Sequence, residues 1–252
     1  VDPIVLSPAL RRHLAGRGPI VALTGAGVSA ESGLATFRGP GGLWEGRDPM
    51  ELATPQAFER DPLLVWRFYA WRRARAVEAR PNPAHEALAA LERARPDTRI
   101  VTQNVDGLHE RAGSRAVLRL HGSLWRVRCV AEGRENEDLR RELSSLPPRC
   151  GCGALLRPAV VWFGEVLSPD VLAAAQAAMR EAAVVVVAGT SSLVWPAAGL
   201  PGLAQTAGAY VVEVNPETTP LSEDADEVLR APAAVALPLL AAAAGAAIAV
   251  PS

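Results

Sequence analysis

Four histidines carry the one side chain whose ordinary pKa lies near neutrality, so each is a candidate proton carrier: His13, His85, His109 and His121. His13 sits in an arginine-rich terminal segment and reads as a solvated group, and His85 opens a helical pattern and reads as structural. His109 closes a polar turn and reads either way. His121, in Leu120-His121-Gly122, ends an apolar run and would stand at a strand end, where reactive groups gather in open α/β sheets. The polar turn before His109 is Gln103-Asn104-Val105-Asp106-Gly107; taken alone, that composition also suits a plain turn. Tyr69 and Arg72 are three residues apart, so a helix puts both on one face, where a guanidinium fork and a phenol could bind a carboxylate. The plainer alternative is an amphipathic helix with solvated arginines and a core tyrosine. Cys129, Cys150 and Cys152 are too few for a disulfide framework, and their clustering suits a metal site or its remnant.

These residues need a scaffold, and the apolar runs supply one. Runs at Ile20–Thr24, Arg99–Thr102, 117–120, 183–188 and Tyr210–Val214 are continuous rather than alternating, as expected of parallel strands covered on both faces. Alanine- and leucine-rich helical patterns separate them at Pro83–Ala94, Pro169–Glu181 and 196–207, each opening at or near a proline. The expected fold is therefore α/β, a doubly wound, Rossmann-like parallel sheet. Two stretches interrupt the alternation. Segment 39–80 opens with Gly39-Pro40-Gly41-Gly42 and becomes helical over Pro62–Glu78; segment 123–157 carries the cysteines, a charged run and Pro147-Pro148. They are expected to form a small inserted lobe, helical in one part and cysteine-bearing in the other. The division is then 1–38, 80–122 and 158–252 for the main domain, and 39–79 and 123–157 for the small one. A cleft between lobes is the expected ligand site.

The first strand runs into Gly25-Ala26-Gly27-Val28-Ser29-Ala30-Glu31-Ser32-Gly33. Two glycines let backbone approach a phosphate, and a following helix would offer free N–H groups and the positive end of its dipole. Such a turn also occurs without a nucleotide. Ala30 stands where a third glycine is usual, and no acidic residue ends a second strand about 20 positions on, which speaks against an ordinary dehydrogenase. Composition narrows the class further. The 252 residues hold 26 basic and 27 acidic side chains, so no net charge favours nucleic acid or a membrane surface. Nearly half the residues are apolar, enough for a sizeable core, and the apolar tract at 239–250 is too short to span a bilayer and reads as a final helix or a frayed tail. No secretory leader is visible, and a soluble, cytoplasmic protein is expected. The oligomeric state is not legible in the sequence.

Several segments in order, Gly25 to Gly39, Thr102 to His109, Leu120-His121-Gly122, Val161-Trp162-Phe163-Gly164-Glu165, Gly189-Thr190-Ser191-Ser192 and Val212-Glu213-Val214-Asn215, resemble the motifs of the sirtuin family. The resemblance runs from about Ile20 to Pro238. It implies an NAD-dependent protein lysine deacylase acting on acyl-lysine proteins or peptides, with NAD as cofactor. By that resemblance Gly25, Ala26 and Gly27 cradle the pyrophosphate, and Gly189, Thr190 and Ser191 reach phosphate and ribose. Asn215 binds the adenosine ribose, and Phe37 and Arg38 cover the nicotinamide ribose. Gln103 and Asn104 position the ribose and a water, Asp106 recognises the nicotinamide amide, and His121 is the base. Val161, Trp162, Phe163 and Gly164 would receive the substrate peptide as an added strand; by themselves they also read as a core strand.

Tyr69 and Arg72 resemble the mark of family members that remove succinyl, malonyl or glutaryl groups, and Ala53 matches the small residue that widens the acyl pocket there. Acetyl-lysine stays open as a substrate. Members of the family usually hold a structural zinc with two cysteine pairs. Here Glu132 stands three positions after Cys129 in place of a cysteine, and Cys150 and Cys152 are spaced C-x-C. Either Glu132 completes a zinc site with the three thiols, or the lobe packs without metal. The competing functions are an NAD or ADP-ribose sensor and a mono-ADP-ribosyltransferase on the same fold. His121, Asn104 and Asp106 speak against the first, and the acyl-pocket residues against the second.

Overall fold

A computed structural model of the chain describes residues 4–36, 48–141 and 143–248. The strands are β1 (Ile20–Thr24), β2 (Arg99–Thr102), β3 (Val117–Arg119), β4 (Gly122–Cys129), β5 (Glu135–Glu137), β6 (Leu156–Val160), β7 (Val184–Ala188), β8 (Tyr210–Val214) and β9 (Glu227–Leu229). The α-helices are α1 (Pro8–Ala15), α2 (Pro55–Arg60), α3 (Pro62–Glu78), α4 (Pro83–Ala94), α5 (Leu108–Arg111), α6 (Pro169–Glu181), α7 (Leu200–Thr206) and α8 (Ala233–Ala243). Ser7, Thr54, Asp61 and Asn82 cap α1, α2, α3 and α4 with side-chain oxygens, each followed by a proline whose missing N–H costs nothing at that position. None of these helices is long and apolar enough to cross a membrane.

Six strands form one parallel sheet in the order β3-β2-β1-β7-β8-β9. Alternation along each strand divides its side chains between two cores. Ile20 and Ala22 of β1, and Val184 and Val186 of β7, pack with Leu10, Leu88 and Leu237 from α1, α4 and α8. Val21, Leu23, Val185 and Val187 pack with Met179 and Leu200 from α6 and α7 on the other face. Burial on both faces is why these strands read as unbroken apolar runs.

A second, antiparallel sheet in the order β5-β4-β6 joins α2 and α3 around a third core that includes Phe58, Trp66, Phe68 and Tyr69. The Trp66 indole N–H donates to the Leu156 carbonyl at 2.7 Å and ties α3 to β6. This sheet and β9 were not expected from the sequence. β5 is Glu135-Asn136-Glu137 and pairs with a β4 edge carrying Arg126 and Arg128, so charge pairing rather than apolar periodicity holds it. Other departures are small. The first of the strands drawn too long ends at Arg119, although the Leu120 N–H still donates to Thr102 at 2.9 Å; the strand expected at 183 starts at Val184. Segment 196–207 is a 3₁₀ turn at Ala197–Gly199 followed by α7, because Pro201 lacks the N–H that one continuous helix would use. The last helix begins at Ala233, earlier than expected. Residues 158–160 lie in β6 and pair with β4, so a boundary at 157/158 falls within a strand.

The glycine-rich turn differs from its expectation in kind. It is a 3₁₀ helix, Ala26–Ser32, and two of its early N–H groups are already used: Gly27 donates to the Gly189 carbonyl at 2.8 Å and Val28 to Gly25 at 3.0 Å. The glycines are required first by backbone meeting backbone. A Cβ on Gly27 would lie 2.7 Å from the Gly189 Cα, and one on Gly25 would lie 2.7 Å from the Gly189 carbonyl oxygen. Gly27→Ala is therefore expected to destabilise the chain by about 1–3 kcal/mol, the usual cost of overpacking, read from denaturant unfolding; an unchanged midpoint would show that the turn has room to relax.

Candidate active site at the carboxyl edge of the sheet

The strand order reverses direction between β1 and β7, and in open parallel sheets the crevice at that point, beyond the carboxyl ends of the strands, is where ligands bind. The sequence-predicted residues converge there. Gly25, Ala26 and Gly27 follow β1; Gln103, Asn104 and Asp106 follow β2; His121 follows β3; Gly189, Thr190 and Ser191 follow β7; and Asn215 follows β8. Hydrogen bonds knit the loops together. The Gln103 amide donates to the Thr190 hydroxyl at 2.9 Å, Asn104 to the Gly25 carbonyl at 2.9 Å, and Asn215 to the Thr190 carbonyl at 2.9 Å. Ser191 is exposed beside them. Phe37 and Arg38 lie outside the described residues.

His121 is half-buried, and its Nδ1–H donates to the Gln103 carbonyl at 3.1 Å. That bond fixes the tautomer and leaves the Nε2 lone pair as a base. Burial lowers the pKa of the ring, opposed by the same hydrogen bond, so the ring is neutral at pH 7. Gly122, at φ 78°, brings β4 against β6 next to this histidine; a Cβ there would meet the Ala159 oxygen at 2.2 Å.

Asp106 is buried. Its carboxylate accepts the Ser29 hydroxyl at 2.9 Å and the Leu108 N–H at 2.8 Å. Burial raises its pKa, the two hydrogen bonds and the Arg72 charge oppose that, and Glu110 adds to it. Ser29 also lies 3.3 Å from the Asn104 amide nitrogen and 3.4 Å from His85 Nε2. The sequence reading gave Ser29 no role, and only its place inside the glycine-rich turn hinted at one. His85 is structural, as expected, accepting the Asn82 N–H at 3.3 Å in the α4 capping box, yet through Ser29 it also supports the site. His109 is buried; its Nε2 meets the Thr24 hydroxyl at 2.9 Å, and its ring centre lies 4.9 Å from that of His85. Ser192 was also missed. At φ 55° it holds a buried Oγ with no hydrogen-bond partner among the described residues, and a phosphate or ribose oxygen would satisfy it. Together with the close-set glycines, that orphan fits a dinucleotide.

Beside this crevice the small lobe brings Ala53, Tyr69, Arg72 and Trp162 together. Ala53 is buried and accepts the Phe163 N–H at 2.9 Å; the Tyr69 hydroxyl accepts the Trp162 indole N–H at 2.9 Å. The Arg72 guanidinium carbon lies 5.6 Å from the Tyr69 ring centre, and burial lowers its pKa against the opposing pull of Tyr69 and Asp106. Residues 161–165 are not a regular strand. The Val161 N–H donates to the His121 carbonyl at 3.0 Å and the Trp162 N–H to Glu165 at 2.8 Å, while the Phe163 side chain and Gly164 are exposed.

The cysteines make no part of this crevice. Ligand atoms of Cys129, Glu132, Cys150 and Cys152 all lie within 4.8 Å of one another, with Cys129 and Cys152 sulfurs 3.5 Å apart. Backbone N–H groups of Glu132 and Ala131 hold the Cys129 thiol below its ordinary pKa. Three thiols and a carboxylate this close fit a tetrahedral zinc.

The fold and its crevice thus define a dinucleotide-binding α/β protein with a half-buried histidine at the carboxyl edge of its sheet. A model of the Sir2 family matches residues 25–196, and the chain belongs to that family. It is similar to a protein of Aquifex aeolicus (strain VF5) named NAD-dependent protein deacylase, 54% identical over 208 residues, 82% of this chain and 87% of that one. A Sir2 homologue solved with NAD is 48% identical, with a TM-score of 0.90 over 96% of this chain and 94% of that one. A mutant Sir2 homologue solved with 2′-O-acetyl-ADP-ribose is 50% identical, with a TM-score of 0.89 over 94% and 96%.

The buried histidines make stability depend on pH. Burial depresses His85 to about 4, and burial together with His85 depresses His109 to about 3, against an ordinary 6.5 in the unfolded chain. Below 6.5 the unfolded chain takes up protons that the folded chain refuses, so stability is complete above that pH and falls as pH drops towards 4. Unfolding measured between pH 7 and 5 should show His85→Gln lowering the slope of stability against pH by about 1.4 kcal/mol per pH unit relative to wild type, the value for one proton. An unchanged slope in the variant would mean that the His85 ring is not held neutral.

Proposed function

We propose that the chain is an NAD-dependent protein lysine deacylase, and that it removes acidic acyl groups such as succinyl and malonyl as well as acetyl. The observation that carries the reading is His121, its Nδ1–H pinned to the Gln103 carbonyl on the same sheet edge as Asn104 and the Gly25–Gly27 turn. Bound NAD would supply an electrophilic ribose carbon, from which nicotinamide departs, and the hydroxyl that takes up the acyl group.

Every other part belongs to the chain. His121 Nε2 takes the hydroxyl proton, and the ring's lowered pKa keeps that nitrogen free at neutral pH. Asn104 and Gln103, each tied to a neighbouring loop, hold the ribose side of the site. Asp106, fixed by Ser29 and Leu108, faces the nicotinamide end, and Gly25, Ala26, Gly27, Gly189, Thr190, Ser191 and Asn215 hold the phosphates and the second ribose. Phe37 and Arg38 belong to the same reading by resemblance. The small lobe expected of 39–79 and 123–157, of which 39–47 and 142 lie outside the described residues, borders the cleft, and 161–164 meet an acyl-lysine peptide. Arg72 and Tyr69 take the carboxylate of an acidic acyl group, and Ala53 leaves room for it. Cys129, Glu132, Cys150 and Cys152 would hold a structural zinc that braces β4 against the turn before β6.

Mass spectrometry of succinyl- and acetyl-lysine peptides should show loss of the acyl mass only when NAD is present, with O-acyl-ADP-ribose and nicotinamide as co-products. Label left on protein would favour ADP-ribosyl transfer, and binding without turnover a sensor. His121→Tyr should cut turnover at least ~100-fold, the usual contribution of a general base, and wild-type kcat/KM should fall on the acid side of pH 6.5. Arg72→Met should lower kcat/KM for the succinyl peptide about tenfold or more beyond its effect on the acetyl peptide, the scale of a charge-assisted hydrogen bond. Metal analysis should find one zinc per chain, and chelation should lower the melting temperature; a chain without zinc at full stability would mean that the lobe holds by packing.

A further inference from the structure

Trp162 follows β6 with its side chain in the core, 3% exposed, and its indole N–H points at the Tyr69 hydroxyl, 2.9 Å away. The ring is held from several directions. The Arg157 guanidinium carbon lies 3.5 Å from the indole ring centre, a cation against an aromatic face. Arg157 is itself fixed by two bonds to Glu165, 2.6 and 2.8 Å, and the same carboxylate accepts the Trp162 backbone N–H at 2.8 Å. Phe58 packs 5.4 Å from the indole. An indole restrained in this way presents its N–H in one direction.

Tyr69 is 2% exposed, and a phenol oxygen has two lone pairs to accept with and one proton to give. Trp162 takes one lone pair, and Arg72 is the phenol's second hydrogen-bonding partner. The remaining valence is the proton, for which no acceptor occurs among the described residues. Burial pushes the Tyr69 pKa above its ordinary 10, so the proton stays on the oxygen throughout the working pH range. A buried O–H calls for an acceptor, and it stands beside the Arg72 guanidinium, whose planar fork suits a carboxylate.

We propose that Trp162 is a positioning residue for acyl specificity: its N–H fills a lone pair of the Tyr69 hydroxyl and so commits the phenol proton to donate to a carboxylate on the acyl chain. The inference rests on the reading that Tyr69 and Arg72 receive that carboxylate. It gives the indole side chain of Trp162 a role that the backbone of 161–164 does not have. A phenylalanine in its place would keep the stacking on Arg157 and lose the directed donor, freeing the phenol to turn its proton elsewhere.

The test measures kcat and KM for succinyl- and acetyl-lysine peptides with wild type, Trp162→Phe, Tyr69→Phe, the double variant and Arg72→Met. A further protein carries 3-benzothienylalanine at position 162, which keeps the bicyclic ring and replaces the N–H by sulfur, in case the phenylalanine variant folds poorly. The expected result is a succinyl-to-acetyl ratio of kcat/KM lowered about 5- to 20-fold in both proteins altered at 162, the scale of one hydrogen bond near a charge, carried mainly by KM. The double variant should lose no more selectivity than Tyr69→Phe alone, because Trp162 acts through that phenol. An unchanged ratio in the benzothienyl protein, or multiplied losses in the double variant, overturns the inference while a selective Arg72→Met leaves the pocket reading standing. Equal losses on both peptides in Arg72→Met remove the pocket reading, and this inference with it.

Discussion

The structure depends on one close approach: the turn after β1 lies backbone to backbone against the turn after β7. Gly25 and Gly27 donate to the Ala188 and Gly189 carbonyls at 3.0 and 2.8 Å, and Gly189 itself stands at φ 60°, where a Cβ would meet the Val28 nitrogen at 2.4 Å. Three positions must lack side chains for this contact to exist. With it in place, Thr190 is fixed between Gln103 and Asn215, and Asn104 is fixed against Gly25. Four loops from four strands then share one set of hydrogen bonds. The sheet supplies rigid strand ends, and the glycine contact converts them into a single preorganised edge.

Around that edge two buried histidines are kept neutral by their surroundings. His85 and His109 are buried as neutral rings, each given a donor or acceptor by a neighbour: Asn82 and Ser29 for the first, Thr24 for the second. The Thr24 hydroxyl in turn bonds to Thr102 at 2.8 Å, which accepts the Asn104 N–H at 3.0 Å. The backbone of the loop after β2 is thus held by a pair of hydroxyls at the strand ends. Neutral rings suit this place, since a buried imidazolium would demand a counter-charge of its own.

What could be read in the sequence follows from how each part is held. Five of the six parallel strands were legible almost to the residue, because burial on two faces writes an unbroken apolar run such as Val184–Ala188, whereas the short edge strand β9, Glu227–Leu229, carries no such run. The capped helices were equally plain, since Asp61-Pro62 and Asn82-Pro83 mark their starts. The small antiparallel sheet was not legible: β5 is three polar residues, held by Arg128 and Arg126 against Glu135, and charge pairs across strands leave no periodic signal. At the site, Gly25, Asn104 and His121 stand in local patterns that point to chemistry. Ser29 and Ser192 lie in such segments too but were given no role, because their importance arises from a partner 77 residues away in the first case and from an unusual backbone angle in the second. The nature of the glycine turn was misjudged for the same reason, as the backbone that crowds it comes from β7.

The division of labour between lobes follows from chemistry that must be shared and chemistry that must vary. The sheet edge is built from backbone bonds and small polar side chains, which leaves little freedom to change without losing the fold. The cluster of Ala53, Tyr69, Arg72 and Trp162, proposed above as the acyl pocket, relies instead on long side chains from α3 and the segment after β6, braced by ion pairs. Arg157 with Glu165 holds Trp162; Arg73 with Asp138, at 3.3 Å and nearly fully buried, fixes α3 against the chain after β5. Breaking such a buried pair leaves an uncompensated charge, so each fixes geometry more than it adds stability. Contacts that join the two parts include the Val161 N–H to the His121 carbonyl at 3.0 Å, the Leu124 N–H to the Val105 carbonyl at 2.9 Å and the Trp125 indole to the Asp106 carbonyl at 2.6 Å. All three end in the loops at the carboxyl edge of the sheet. Side chains on α3 and after β6 can therefore vary while His121 and the amides of the sheet edge keep their places, provided these bonds remain.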